Sequence, residues 1–215
     1  MKRKLVVLIL LIVSNVAVAQ EKKERAEEAG QFQMGLRSTM SLFGDDDLIG
    51  VGTGGQFRLR LNKRLNTEWF ADYIQTDLWG AGRRSDGHIG WSVMFYPFST
   101  GEKKLQPYFL AGHCFDYTRV VPFNTLTELK TDEAQKRWSS ATQAGAGFHW
   151  NITDKFNMSF SAQYMIHLGK DLHYEMEEVN GVKELHMEDP VNATSTLEGH
   201  LLLTMSLNIR IADLW

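Results

Sequence analysis

From Gly30 to the C-terminus the chain alternates apolar and polar residues with a period of two. Successive side chains of an extended strand point to opposite faces, so this period predicts strands with one apolar and one polar face. The clearest is the last, Leu197 to Ile211. Leu197, Gly199, Leu201, Leu203, Met205, Leu207, Ile209 and Ile211 form one row; Glu198, His200, Leu202, Thr204, Ser206, Asn208 and Arg210 form the other. Earlier segments repeat the pattern: Phe32 to Leu42, Gly50 to Leu61, Leu65 to Tyr73, His88 to Tyr96, Leu105 to Tyr117, Thr142 to Trp150 and Phe156 to His167. About eight strands result, and no helix-period stretch of useful length interrupts them.

The connections alternate in length. Asn62 to Arg64, Phe98 to Lys104 and Asn151 to Lys155 are short; Gly44 to Ile49, Leu78 to Ser85, Arg119 to Arg137 and Leu168 to Thr194 are variable and mostly longer. Short turns at one end and long loops at the other describe an all-β, eight-stranded antiparallel up-and-down transmembrane barrel, with both termini on the short-turn side.

Alternation alone does not say whether the apolar row faces a protein core or a bilayer. A soluble barrel turns its apolar row inward and wets a Lys- and Glu-dense outer face. Here the polar rows are rich in Gly, Ser, Gln, Asn and His with single charges, as in a packed, hydrogen-bonded interior. Aromatic residues also gather at strand ends: Trp69, Phe95, Trp150 and Phe156 toward the short turns, and Tyr73, Trp79, Phe115, Tyr117, Trp138 and Tyr164 toward the loops. Two such girdles fit two membrane interfaces. The mean hydropathy of −0.27 does not oppose this, because a polar-lined transmembrane barrel need not be hydrophobic on average.

Ahead of the strands, Lys2 to Lys4, the apolar run Leu5 to Val13 and Ala17-Val18-Ala19 form the three parts of a signal peptide, cut before Gln20. The apolar run is too short to span a bilayer, which needs roughly 20 residues. Residues 20–29 then form a charged periplasmic segment and 30–215 the barrel. Without Lys2, Arg3 and Lys4 the chain carries 20 basic and 26 acidic side chains, a net charge of −6, which argues against nucleic acid as a partner. Cys114 is the sole cysteine, so no disulfide forms within the chain.

Gln106-Pro107-Tyr108-Phe109-Leu110-Ala111-Gly112, Ala144-Gly145-Ala146-Gly147-Phe148 leading into Asn151-Ile152-Thr153-Asp154, and the terminal Trp215 resemble segments of the small outer-membrane β-barrel family of Gram-negative bacteria, which contains OmpA-type and OmpW-type barrels. The likeness spans about Gly30 to Trp215. It implies a fold and an outer-membrane location, with outer-membrane lipids as surroundings and the barrel-assembly machinery as a partner of the C-terminal strand. It implies no activity.

Candidate chemistry is sparse. Gly50-Val-Gly-Thr-Gly-Gly55 matches G-x-G-x-x-G, but a dinucleotide site needs a helix after the turn and a strand follows here; the glycines instead relieve crowding in a narrow barrel. Arg37, Arg58, Arg60, Glu68, Asp72, Asp116 and Arg210 share the inward row, and a symmetric turn about Lys63 places Arg58 opposite Glu68. Eight strands leave little bore, so these charges are expected to pair and plug the lumen rather than line a pore. His88, His149, His167 and His200 also point inward, and with no serine set up beside them they read as a hydrogen-bond network rather than a catalytic group.

Asn180-Gly181 centres a two-residue hairpin that pairs Val179 with Val182, Met176 with Leu185 and Tyr174 with Met187. His173, Glu175, Glu177, Glu184, His186 and Glu188 gather on one face, a donor set that would suit a metal but reads more simply as a solvated hairpin. Val120 to Phe123 form an apolar loop that folds onto the rim or meets a partner. The glycosylation sequons at Asn151 and Asn192 are discounted in this compartment.

No catalytic, cofactor-binding or metal residue is assigned. The expected function is a structural or surface-interaction role, with any extracellular ligand at the long loops; the alternatives are a narrow channel for small solutes and a lipid-modifying enzyme. At the C-terminus, Asp213 falls on the lipid-facing row, so either the strand ends near Ile211 or a bulge shifts the last residues.

Overall fold

A computed structural model describes residues 29–43, 48–98, 104–123, 134–169, 172, 174–179, 181–187 and 199–215. The stretch read as a signal peptide, nearly all of the charged segment, most of the first and third loops and part of the fourth lie outside the described residues. The described residues form ten strands: β1 (Gln31–Phe43), β2 (Ile49–Asn62), β3 (Leu65–Leu78), β4 (Gly82–Phe95), β5 (Leu105–Pro122), β6 (Gln135–Asn151), β7 (Phe156–Leu168), β8 (Tyr174–Val179), β9 (Val182–Met187) and β10 (Gly199–Asp213). Eight close a barrel in the order β1-β10-β7-β6-β5-β4-β3-β2, and β8 and β9 form a separate hairpin. Every neighbouring pair in the barrel is antiparallel.

The burial pattern is that of a soluble protein turned inside out. Leu36, Ile89 and Phe109 are 76, 66 and 58% exposed on the outer face, while Arg37, Glu68 and Asp116 are buried within the bore. Barrel strands of 13 to 18 residues exceed the ~9–11 residues that cross a bilayer at a tilt. An apolar belt of that height outside a polar bore is stable only against hydrocarbon. The barrel is therefore transmembrane, and closure leaves no unpaired strand edge in the lipid.

The narrow bore dictates where glycines fall. The motif Gly50 to Gly55 lies wholly within β2 rather than in a strand-to-helix turn. A side chain at Gly52 would strike the backbone at Tyr73 and Ile74, and one at Gly54 the Ala71 carbonyl and Asp72. These inward positions are empty so that their neighbours on β3 can cross the lumen.

Three sequence expectations change. Leu78 to Ser85 is not a long loop: Trp79, Gly80 and Ala81 make a tight turn, with φ of 54° and 75° at Trp79 and Gly80 and a 2.9 Å hydrogen bond from Ala81 N to Leu78 O. The connection read as Arg119 to Arg137 shrinks to residues 123–134, because β5 runs on to Pro122 and β6 starts at Gln135. The apolar stretch Val120 to Phe123 is accordingly not all loop. Val120 is fully buried in the lumen, Pro122 pairs with Gly82, and Phe123 alone lies beyond the strand.

At the C-terminus the bulge is realised. Phe32 pairs with Ala212 and Gln33 with Arg210, leaving Ile211 as the extra residue, and β10 continues to Asp213. Asp213 reaches back to Arg210 at 2.6 Å, and Leu214 N donates to Gly30 O at 2.9 Å, which ties the two ends of the barrel together.

Candidate functional site

The lumen gathers nearly all of the buried charge. In its lower half Arg37 on β1 and Arg58 on β2 face Glu68 and Asp72 on β3. Arg37 Nε lies 3.0 Å from Asp72 Oδ1 and its Nη1 3.4 Å from Glu68 Oε1; Arg58 Nη2 lies 2.6 Å from Glu68 Oε2. Two guanidinium groups thus meet two carboxylates, which is what lets four charges remain out of water. Arg37 also stacks 4.4 Å from the Phe70 ring centre.

A polar chain extends from this quartet to the turn end. Arg58 Nη1 donates to Ser159 Oγ at 2.8 Å, Ser159 contacts His149 Nδ1 at 2.7 Å, and His149 Nε2 contacts Tyr96 Oη at 2.8 Å. Arg60 lies over the Tyr96 ring at 4.3 Å and donates to the Asn62 and Lys63 carbonyls, fixing the β2–β3 turn. Gln56, Asn157, Ser206 and Asn208 bridge β2 to β7 and β10 through side-chain hydrogen bonds.

The upper half centres on Asp116. His88 Nε2, His167 Nδ1 and Arg137 Nη2 approach its carboxylate at 3.3, 3.1 and 3.6 Å, and Thr118 and Ser139 donate to it at 3.2 and 3.3 Å. His167 Nε2 stands 3.4 Å from His200 Nε2. Beside this cluster Arg84 pairs with Asp86 at 3.1 Å, and Thr118 also donates to Asp86 at 2.8 Å.

Above it the β8–β9 hairpin packs at the loop end. Its register is the one read from Asn180-Gly181, with Val179 opposite Val182 and Met176 opposite Leu185. The hairpin is not simply solvated, however. Leu185 is 1% exposed in an apolar cluster with Leu48, Leu78, Ala81, Val120 and Leu172, and Tyr174 packs against the same cluster. Leu185 also fills the space that a side chain at Gly82 would need.

The structure thus brings together six of the seven charges assigned to the inward row. Arg210 differs: it sits at the short-turn rim, part-exposed and paired with Asp213. All four inward histidines are buried, His149 in the lower network and the others around Asp116. Arg84, Asp86 and Arg137 belong to the upper cluster; in the sequence Arg84 and Arg137 fall in segments read as loops and Asp86 just ahead of the strand read from His88. Of the proposed metal donors, His173 and Glu188 lie outside the described residues; Glu177 and Glu184 sit opposite each other on the hairpin.

One histidine–serine pair lies on the outer face, His113 Nε2 to Ser140 Oγ at 2.8 Å. Its position mid-strand commits the surrounding backbone N–H groups to the ladder, so they are not free to bind a developing oxyanion. The contact satisfies two polar side chains in an apolar setting.

No protein-family model matches the chain, and no curated protein matches it either. Solved structures do. Neisserial surface protein A superposes with a TM-score of 0.53 at 14% identity, covering 84% of this chain and 96% of that one. A major outer-membrane protein of Thermus thermophilus gives 0.52 at 13% identity, covering 84% and 99%. The fold is that of the small outer-membrane barrels. At these identities the likeness extends to architecture: closure, strand count and an apolar exterior, with the lumen to be read from this chain's own residues.

Proposed function

We propose that the protein resides in the outer membrane as a closed barrel with a structural or surface-interaction role, passing no solutes through its lumen. The observation that carries this reading is the Arg37, Arg58, Glu68 and Asp72 quartet, buried across the bore with each charge paired. A conducting path at this level would have to hydrate or separate ions that now neutralise one another, at a cost of several kcal/mol per exposed pair. The docked Leu185 supports closure at the loop end as well.

In this reading residues 1–19 direct export and are removed, 20–29 lie in the periplasm with both barrel ends, and the C-terminal strand is presented to the assembly machinery. Binding of any extracellular ligand falls to the loops. Reconstitution in planar bilayers tests the closed lumen: the expected result is a flat trace, and sustained unitary current steps from folded protein would overturn it.

A further inference from the structure

We propose that the outer surface of β4, β5 and β6 at the loop end is a binding site for an anionic phosphate-bearing lipid, its headgroup on Arg83, Arg119 and Lys136 and one acyl chain in the aromatic slot beneath them. Among the described residues, the outward faces of the barrel strands carry Lys or Arg at these three positions alone, and all three are exposed. They stand on adjoining strands: Arg119 pairs with Ser85 and with Lys136, and Arg83 pairs with Val121, one outward position above. A uniform solubilising rim would spread such charges around the barrel. Here β1, β2, β7 and β10 present none.

The level of the cations matches a headgroup. Two residues below Arg119 and Lys136 on the same face lie Tyr117 and Trp138, whose rings are 4.8 Å apart. Two strand residues span about 7 Å, so the outer row passes from interfacial aromatics to cations over the depth at which a bilayer passes from acyl ester to phosphate.

Directly below is a slot of about 380 Å³, floored by Ala71 and Gly87 and walled by Tyr73, Phe115, Tyr117 and Trp138. It exists because Gly87 has no side chain between Tyr73 and Tyr117. Gln75 Nε2 donates to Tyr73 Oη at 3.2 Å, which holds one wall. Arg83 is positioned 5.8 Å from the Phe123 ring centre. A slot lined by apolar rings at this depth suits a hydrocarbon chain, and the cations at its mouth select a chain attached to an anionic headgroup over one with a zwitterionic headgroup. The inference rests on the membrane placement proposed above and is independent of whether the lumen conducts.

Native mass spectrometry of the detergent-folded protein tests it, with dioleoylphosphatidylglycerol and dioleoylphosphatidylcholine offered in turn and inorganic phosphate as competitor. The expected result is about tenfold higher retention of the phosphatidylglycerol, in line with the attraction of a few basic side chains for anionic lipid, lost in the R83Q/R119Q/K136Q variant. Gly87→Leu, which has room for its Cβ with the nearest atom, the Tyr117 carbonyl oxygen, at 3.9 Å, is expected to lower retention by filling the slot while leaving the cations in place. Heat-modifiable gel mobility confirms that each variant is folded and separates failure of the barrel from failure of the site. Equal retention of the two lipids by the unaltered protein, an unchanged preference in the triple variant, unaffected binding in Gly87→Leu, or displacement of the lipid by inorganic phosphate would each overturn the proposal.

Discussion

Arg58 and Glu68 are directly paired positions on β2 and β3, and their side chains meet inside the barrel at 2.6 Å. The pair is the narrow point at which register, burial and charge depend on one another. Glu68 also faces Arg37, so its removal strips Arg58 of its carboxylate and leaves two buried guanidinium groups with Asp72 alone to balance them. Glu68→Ala is therefore expected to lower the stability of the folded barrel by about 3–5 kcal/mol, the range for breaking a buried ion pair from one side. Urea unfolding in detergent, followed by tryptophan fluorescence, checks this; a loss below about 1 kcal/mol would mean that water already reaches the quartet.

The hairpin makes a separate prediction because its register and its docking have different causes. The register, Val179 opposite Val182, is the one that the Asn180-Gly181 sequence predicts, whereas docking comes from Leu185 against Leu78, Ala81 and Val120. Leu185→Ala should keep the turn and release the cap, at a cost of about 2–5 kcal/mol for the buried leucine. Limited proteolysis should then cut within residues 172–187 while the barrel core resists. Unchanged cleavage kinetics would count against the docked cap.

This division also explains what could be read in advance. Within the bilayer one face of every strand meets oil and the other a polar bore, so the period-two contrast is sharp, and the inward placement of Arg58, Asp116 and His167 followed from it. Above the bilayer both faces are wet. Inward Arg84 and Asp86 alternate with outward Arg83 and Ser85, and inward Arg137 with outward Lys136, so the pattern vanishes where β4 and β6 begin and β5 ends. The upper half of the Asp116 cluster was lost there, along with the cationic outer patch. The docking of Leu185 is a contact between segments distant in sequence and leaves no local pattern at all.

Glycine placement yields a paired test. A methyl group at Gly54 would overlap the Ala71 carbonyl and Asp72, a neighbour of Arg37, whereas at Gly87 its nearest neighbour is the Tyr117 carbonyl oxygen at 3.9 Å. Gly54→Val is expected to abolish the heat-modifiable folded band, and Gly87→Ala to leave it intact with a stability change within about 1 kcal/mol. Equal folding of the two variants would show that β2 and β3 can separate at Asp72 without loss of the barrel.

The bulge at Ile211 resolves where Asp213 goes. In an unbroken strand Asp213 would share the outward row of Ile209 and Ile211, facing hydrocarbon near the membrane edge. The extra residue lets it turn to Arg210, three positions earlier, in a contact of 2.6 Å that a regular strand would forbid because residues three apart point to opposite faces. Both side chains are part-exposed, so the ion pair itself should contribute less than about 1 kcal/mol, and Asp213→Asn is expected to be nearly silent in urea unfolding. Deleting Ile211 tests the bulge itself. It closes the ladder with Gln33 still opposite Arg210 and Phe32 still opposite Ala212, so the Leu214 N to Gly30 O bond that joins the barrel ends is kept. The deletion is therefore expected to leave the heat-modifiable folded band and to change stability by no more than about 1 kcal/mol in urea unfolding, and a large loss would show that the bulge is itself required for barrel closure.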